Sequence, residues 1–307
     1  PTPTTTKPSS AASDVYKRQI IYGDTDSVYF SAHKTLAKEI ESGSIPWTKE
    51  SVISLYDKIA DEVNTTFASY MNKAFHCPTT RGAVIKAGRE LVALKGLFIT
   101  KKRYAVLYYD KEGERVDKTG KEGKVKAMGL DLKRSDTPVF VQNFLSDVLY
   151  KVLIGNTEEE VLKAISEFRS DFKARPGWEK GSPRRVNKLT EYHSREKRKG
   201  KVNMPGHVRA AINWNTLKKV YNDKYSMDII DGQKCIVCKL KDNPMGYTSI
   251  AYPTDELRIP EWFKEMPFAD DEMETTLINK KLDNLIGVLN WDLHASEADN
   301  TFDKLFG

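Results

Sequence analysis

The chain has 307 residues, enough to bury a sizeable core as one large domain or two ordinary ones. Charged residues make up 30% of it and the net charge is +6, a moderate basic excess compatible with a polyanionic partner but too common to identify one. No apolar run approaches the eighteen or so residues that span a bilayer, and no charged-then-apolar N-terminal signal is present, so we expect a soluble, intracellular protein with no membrane partner.

Residues 1–19 open with a Pro, Thr and Ser-rich stretch without apolar periodicity, expected to be a leader with no stable structure. The chain then changes character. Ile20-Ile21-Tyr22 and Val28-Tyr29-Phe30 are β-prone runs around Gly23-Asp24-Thr25-Asp26-Ser27, the pattern of a β-hairpin with two carboxylates at its tip. Neighbouring aspartates repel and the turn does not need both. A bound Mg²⁺, which takes carboxylate oxygens and shares its shell with substrate phosphates, would explain the pair; a solvated turn is the alternative.

Over 47–75, Val52, Tyr56, Ile59, Val63, Phe67 and Tyr70 recur at steps of three and four, which predicts a long amphipathic helix packed under the sheet along that stripe. From Ala83 to Tyr109 strand formers dominate, with Gly96 as the expected turn or bulge and a further turn at Asp110-Lys111-Glu112-Gly113. Asp136 or Thr137, with Pro138, is expected to cap a helix running to about Leu153. Thr157 should cap a second, with Glu158, Glu159 and Glu160 in its first turn and Val161, Ile165, Phe168 and Phe172 as its apolar stripe. Residues 176–207 turn polar and very basic, punctuated by Gly and Pro, and read as a solvated loop. Cys235 and Cys238 have the spacing of a metal pair, but with Cys77 the only other cysteine we read them as two residues of a strand. The last residues, 301–307, carry apolar anchors at Phe302, Leu305 and Phe306, spaced to fit a groove on a partner, with a terminal helix folded back as the alternative.

Tyr22-Gly23-Asp24-Thr25-Asp26-Ser27, then Lys101-Lys102-Arg103-Tyr104-Ala105, then Lys126-Ala127-Met128-Gly129 leading to Ser135-Asp136-Thr137-Pro138, resemble in order and rough spacing the palm motifs of family B DNA polymerases. The wording is most similar to the tailed-phage, T-even-like branch, and the resemblance runs from Ile20 to Gly307. It implies an α+β fold: residues 20–135 as the C-terminal part of a palm, an antiparallel sheet with its aspartate hairpin and packed helix; 136–295 as a mainly helical thumb; and 296–307 as a tail that binds a sliding clamp. The implied reaction is template-directed addition of a dNTP to a primer 3′-hydroxyl by a two-metal mechanism, in the cytoplasm of an infected bacterial host. Asp26 would be the direct Mg²⁺ ligand, and Asp24 would tune charge beside it or bind the metal through water.

Tyr22, Lys101, Lys102, Arg103, Tyr104 and Lys126 are the candidate contacts to primer–template DNA, with packing as the competing role of Tyr104. Arg184, Arg185, Asn187, His207 and Arg209 would follow the product duplex, His207 touching phosphate or packing. Glu90 is either a carboxylate near the metals or the partner of a nearby lysine. The family's second aspartate strand, fingers helix and exonuclease domain are not found in these residues, and Pro8 to Gln19 resembles translated sequencing-adapter read-through. We therefore expect the natural gene to continue upstream and residues 20–307 alone to be inactive as a polymerase. The competing readings are a reverse-transcriptase-like polymerase, whose paired aspartates are not followed by Lys-Lys-Arg-Tyr, and a non-catalytic module that binds DNA and a sliding clamp.

Overall fold

The structure is a computed structural model and describes residues 20–293, apart from Thr119 and Lys201. The leader of residues 1–19 and the tail anchors Phe302, Leu305 and Phe306 lie outside the described residues. The chain divides into two compact units, one ending at Gly129 and one beginning at Leu130. Each combines helices with antiparallel strands, which makes the fold α+β. Among the described residues no helix is long and apolar enough to cross a membrane.

In the first unit, β1 (Ile20–Asp24) and β2 (Ser27–Phe30) pair antiparallel as a sheet of their own. A short helix, α1 (Ala37–Glu41), leads to α2 (Lys49–Phe75), whose start is held by a capping box between Thr48 and Ser51. After α3 (Thr79–Gly82) come β3 (Leu91–Thr100), β4 (Arg103–Lys111), β5 (Glu114–Arg115) and β6 (Lys124–Met128). In this sheet β4 is central, flanked by β3 on one side and by β5 and β6 on the other.

The apolar stripe of α2 is used over only part of its length. Val52 packs with Val92 and Tyr109, assisted by Trp47, Ile53 and Tyr56, whereas Val63 and Tyr70 stay exposed. The second half of the helix is met by polar and small-residue contacts instead. Asn64 bonds both the N–H and the carbonyl of Ala87 at 2.7 and 2.9 Å, and Gly82 lies against Ala68 and Met71. Gly96 is not a turn: it pairs with Val106 in mid-strand, just past a register shift between Ala93 and Lys95, and its missing side chain leaves room for the Phe98 ring. The turn falls at Lys101-Lys102, between the paired Thr100 and Arg103, with Lys102 at φ +62°.

The second unit opens with a 3₁₀ turn, Asp131–Lys133, and the helices α4 (Val139–Ile154) and α5 (Glu158–Ala174). Both lie within a residue or two of expectation. The cap of α4 is Pro138, not Asp136 or Thr137, and no side chain bonds its first turn; Thr137 is buried and its hydroxyl turns to Asp136. Thr157 forms a full capping box with Glu160. Replacing Thr157 with alanine removes the bond its hydroxyl accepts from the Glu160 N–H, leaves the backbone N–H to Glu160 bond in place, and is expected to cost about 1 kcal/mol, read as a lower urea midpoint at unchanged slope. Val161, Ile165 and Phe172 are buried, and Phe168 stacks on Phe144 with centroids 3.7 Å apart.

Residues 176–207 are more ordered than a solvated loop. They hold a 3₁₀ turn (Gly177–Lys180), the strand β7 (Ser182–Arg185) and the basic helix α6 (Leu189–Lys199). The helix α7 (Gly206–Val220) follows and carries the fully buried Trp214. Strands β8 (Lys234–Lys239) and β9 (Ser249–Pro253) complete a sheet in the order β7-β8-β9. Cys235 and Cys238 are buried, unpaired thiols of β8, and burial pushes both up, Cys235 to about 12. The unit closes with α8 (Glu261–Lys264), α9 (Asp270–Glu274), a π-helical turn (Thr275–Asn279) and α10 (Lys280–Ile286).

Candidate nucleic-acid and metal site

The hairpin of β1 and β2 carries its two carboxylates as the sequence suggests, but their surroundings differ. Asp24 pairs with Ser27 across the turn; Thr25 adopts φ +49° and the Asp26 N–H returns to the Asp24 carbonyl at 2.6 Å. This turn points Asp26 into solvent, where its carboxylate has no hydrogen-bond or ion-pair partner among the described residues. Asp24 is partly covered. Its carboxylate accepts from the Thr25 hydroxyl at 3.2 Å and the Tyr22 hydroxyl at 3.5 Å, and Lys102 Nζ lies 3.9 Å away.

Four aromatic rings join this hairpin to the β3–β4 hairpin. Tyr22 and Tyr29 from the first meet Phe98 and Tyr104 from the second, with centroids between 5.2 and 6.4 Å apart. Each such pair adds on the order of 0.5–1.5 kcal/mol beyond the area it buries. Tyr29 donates to the Tyr104 hydroxyl at 3.4 Å, and burial first, then this bond, pushes the Tyr29 phenol well above its usual range. The two hairpins therefore lie side by side through side chains rather than as strands of one sheet.

Tyr22 ties the two turns together. Its hydroxyl accepts the Lys102 backbone N–H at 2.8 Å while facing the Asp24 carboxylate. Lys102 occupies the left-handed region, which costs a non-glycine residue roughly 1–2 kcal/mol. The bond to Tyr22 helps hold it there, and the result is an ammonium group placed over the aspartate hairpin. Lys101 is exposed at the same turn, and Tyr104 is buried in the ring cluster, where it packs against Tyr22, Tyr29 and Phe98.

Glu90 forms an ion pair with Lys126, which leaves neither of them uncommitted, and Arg89, its neighbour, turns the other way to Asp57 and Asp110. Of the candidates in the second unit, Arg184, Arg185 and Asn187 are exposed. Arg184 reaches Asp136 at 3.2 Å, and Arg209 is engaged by Glu196 and by the Val202 carbonyl at 3.2 Å. His207 is half-buried, and burial, followed by the nearby Arg184 charge, lowers its imidazole below the usual value.

Three contributors escaped sequence reasoning. Tyr29 and Phe98 read as generic strand aromatics, and only the fold stacks them under the site. Gly129 sits at φ +65°, where an added Cβ would overlap the Lys102 carbonyl oxygen and stand 3.0 Å from Arg103 Cγ. The Lys-x-x-Gly spacing was its only signal.

No group of three or more His, Cys, Asp or Glu side chains converges as a metal cluster among the described residues. Two carboxylates at a solvent-facing turn nevertheless match the donor chemistry of Mg²⁺, which is commonly bound by one or two carboxylates with waters and phosphates filling the shell. A model of DNA polymerase family B matches residues 2–208, two thirds of the chain, and the chain belongs to that family. It is 29% identical over 248 residues to the DNA-directed DNA polymerase of Escherichia phage RB69, and 26% identical over 243 residues to that of Enterobacteria phage T4. Each match covers 76% of this chain and 26% of the relative, so the chain spans about a quarter of the length of these polymerases. A 152-residue stretch, 48% of the chain, is 32% identical to the DNA polymerase delta catalytic subunit of Dictyostelium discoideum, covering 10% of that protein.

Proposed function

We propose that this chain serves as the aspartate-hairpin and duplex-holding part of a DNA-directed DNA polymerase, its first unit working as palm and its second as thumb. The observation that carries the reading is the interlock of Tyr22, Lys102 and Asp24, which sets a cation and two carboxylates at one edge of the first unit. Asp26, solvent-facing and unpartnered among the described residues, is the carboxylate to hold a divalent cation, with Asp24 beside it. Bound there, such a cation would neutralise charge on the phosphates of a primer end and an incoming dNTP.

Lys101 and Lys102 would hold the primer strand by displacing counterions from its phosphates, a contact that fixes register without reading sequence. Arg185 and Asn187 would extend that contact along the product duplex. Clamp binding by Phe302, Leu305 and Phe306 and work in the cytoplasm of an infected bacterium belong to the same reading. The T4 and RB69 polymerases named above support it by likeness.

The test is primer–template binding by the 307-residue chain, followed by fluorescence anisotropy across a salt series. Lys102→Gln is expected to weaken binding and to lower the slope of log K against log salt by about 1, the signature of one lost phosphate contact. Adding Mg²⁺ should tighten binding of a primer end by the wild type but not by Asp26→Asn. A chain that binds no duplex at low salt would sink the proposal.

A further inference from the structure

Strand alternation decides which side chains of the β3–β6 sheet share a face. Phe98 pairs with Tyr104 and Gly96 with Val106 between β3 and β4, while Tyr104 pairs with Met128, Val106 with Lys126 and Tyr108 with Lys124 between β4 and β6. Directly paired residues lie on one side of a sheet, and so do residues two apart along a strand. Lys126 therefore stands on the face that carries Phe98 and Tyr104, on whose rings Tyr22 and Tyr29 of the aspartate hairpin rest. Val106, its partner, follows Lys102 by four residues, so Lys126 lies about 13 Å along the strand direction from the Lys102 turn, roughly four base-pair steps of a duplex.

The two lysines are held differently. Lys102 is 64% exposed, and its Nζ stands 3.9 Å from Asp24, beyond hydrogen-bond reach. The Lys126 side chain is only 29% exposed, and its ammonium donates to the Glu90 carboxylate. Among the described residues, neither of these two groups has a second side-chain partner. Glu90 precedes β3 by one residue and lies on the hairpin side of the sheet: after burial and Tyr104, its charge comes next among the causes that push the Tyr29 phenol up. Half-exposed pairs of this kind add little to stability. The anchor of that end of β4 is the buried Asp110 with Arg89, so the fold does not call for Glu90.

We propose that Glu90 is a positioning residue that restrains Lys126, holding its ammonium back from the duplex that Lys101 and Lys102 grip. A free surface lysine that meets a phosphate releases a counterion from the DNA, the source of the affinity and of its dependence on salt. Lys126 carries its counter-charge with it. A phosphate that takes this ammonium first displaces the Glu90 carboxylate, which is then left unpaired beside a polyanion, so contact at β6 adds little to binding. The grip is thereby concentrated at the Lys101-Lys102 turn beside the aspartates, and the duplex farther along the sheet stays free to move. The inference rests on the polymerase reading above, which brings a duplex to the first unit; the restraint by Glu90 is additional to it.

The experiment measures primer–template affinity of the 307-residue chain by fluorescence anisotropy across a salt series. It compares the wild type with Glu90→Gln, Lys126→Gln and the double variant, and with Lys102→Gln as the check on the reading beneath. Circular dichroism verifies that each variant folds. Glu90→Gln removes the competing carboxylate and frees the ammonium, so it is expected to tighten binding about 3- to 10-fold and to raise the slope of log K against log salt by about 1. On the Lys126→Gln background the same substitution should add neither. Weaker or unchanged binding by Glu90→Gln overturns the restraint, because the carboxylate then aims the lysine at DNA or leaves it idle. Equal tightening with and without Lys126 overturns it as well, since loss of a negative charge alone then accounts for the gain. In either case, a loss of affinity with Lys102→Gln keeps the polymerase reading, and no loss removes that reading too. A chain that binds no duplex removes both.

Discussion

Replacing Arg89 with alanine is expected to destabilise the first unit by about 3–5 kcal/mol, the usual cost of leaving one charge of a buried pair uncompensated. Asp110 on β4 has a side chain only 2% exposed, and Arg89 is its charge partner. Once the guanidinium is gone, the carboxylate keeps the Gly113 N–H at 3.2 Å and little else. The other partner of Arg89, Asp57 on α2, is half exposed, so Asp57→Ala should cost less than about 1 kcal/mol. Urea unfolding of the whole chain, read by hydrogen exchange at β4 amides, compares the two. Equal costs would show that Asp110 is not the buried anchor we describe. A large gap would identify Arg89 as the rivet between helix and sheet rather than a group of the site.

That assignment also shows where sequence reasoning ran out. Arg89 and Glu90 are neighbours just before β3, and neighbours in an extended chain face opposite ways. One goes to Asp57 and Asp110 and the other to Lys126, and nothing local says which. Signals confined to a few residues were legible: the paired aspartates at a turn, Thr157 with Glu160 at a helix start, the apolar stripe of α5. The basic helix α6 was not, because Leu189 is its one buried residue and a charged surface helix leaves no apolar period to read. The β3–β4 turn was misplaced for a related reason. Glycine is the ordinary occupant of a left-handed turn position, so Gly96 drew the assignment, while the position is filled by Lys102 and held by the distant Tyr22 hydroxyl.

The strain at Lys102 leads to the strongest functional test, which concerns Gly129. Its φ of +65° costs any other residue roughly 1–2 kcal/mol, and the overlap of a new Cβ with the Lys102 carbonyl adds about 1–3 kcal/mol of overpacking. Gly129→Ala is therefore expected to cost about 2–5 kcal/mol. Gly113 is the internal control: its φ is +89°, and nothing lies within 4 Å of an added Cβ, so Gly113→Ala should carry only the backbone part. The difference between the two variants isolates the pressure on the Lys101-Lys102 turn. Because that carbonyl belongs to the residue whose N–H Tyr22 holds, Gly129→Ala should also lower duplex affinity and salt slope as Lys102→Gln does, although it removes no charge. If the two glycine variants cost the same and bind duplex like the wild type, the turn is not clamped from both sides, and the ammonium above Asp24 owes its place to something other than Tyr22 and Gly129.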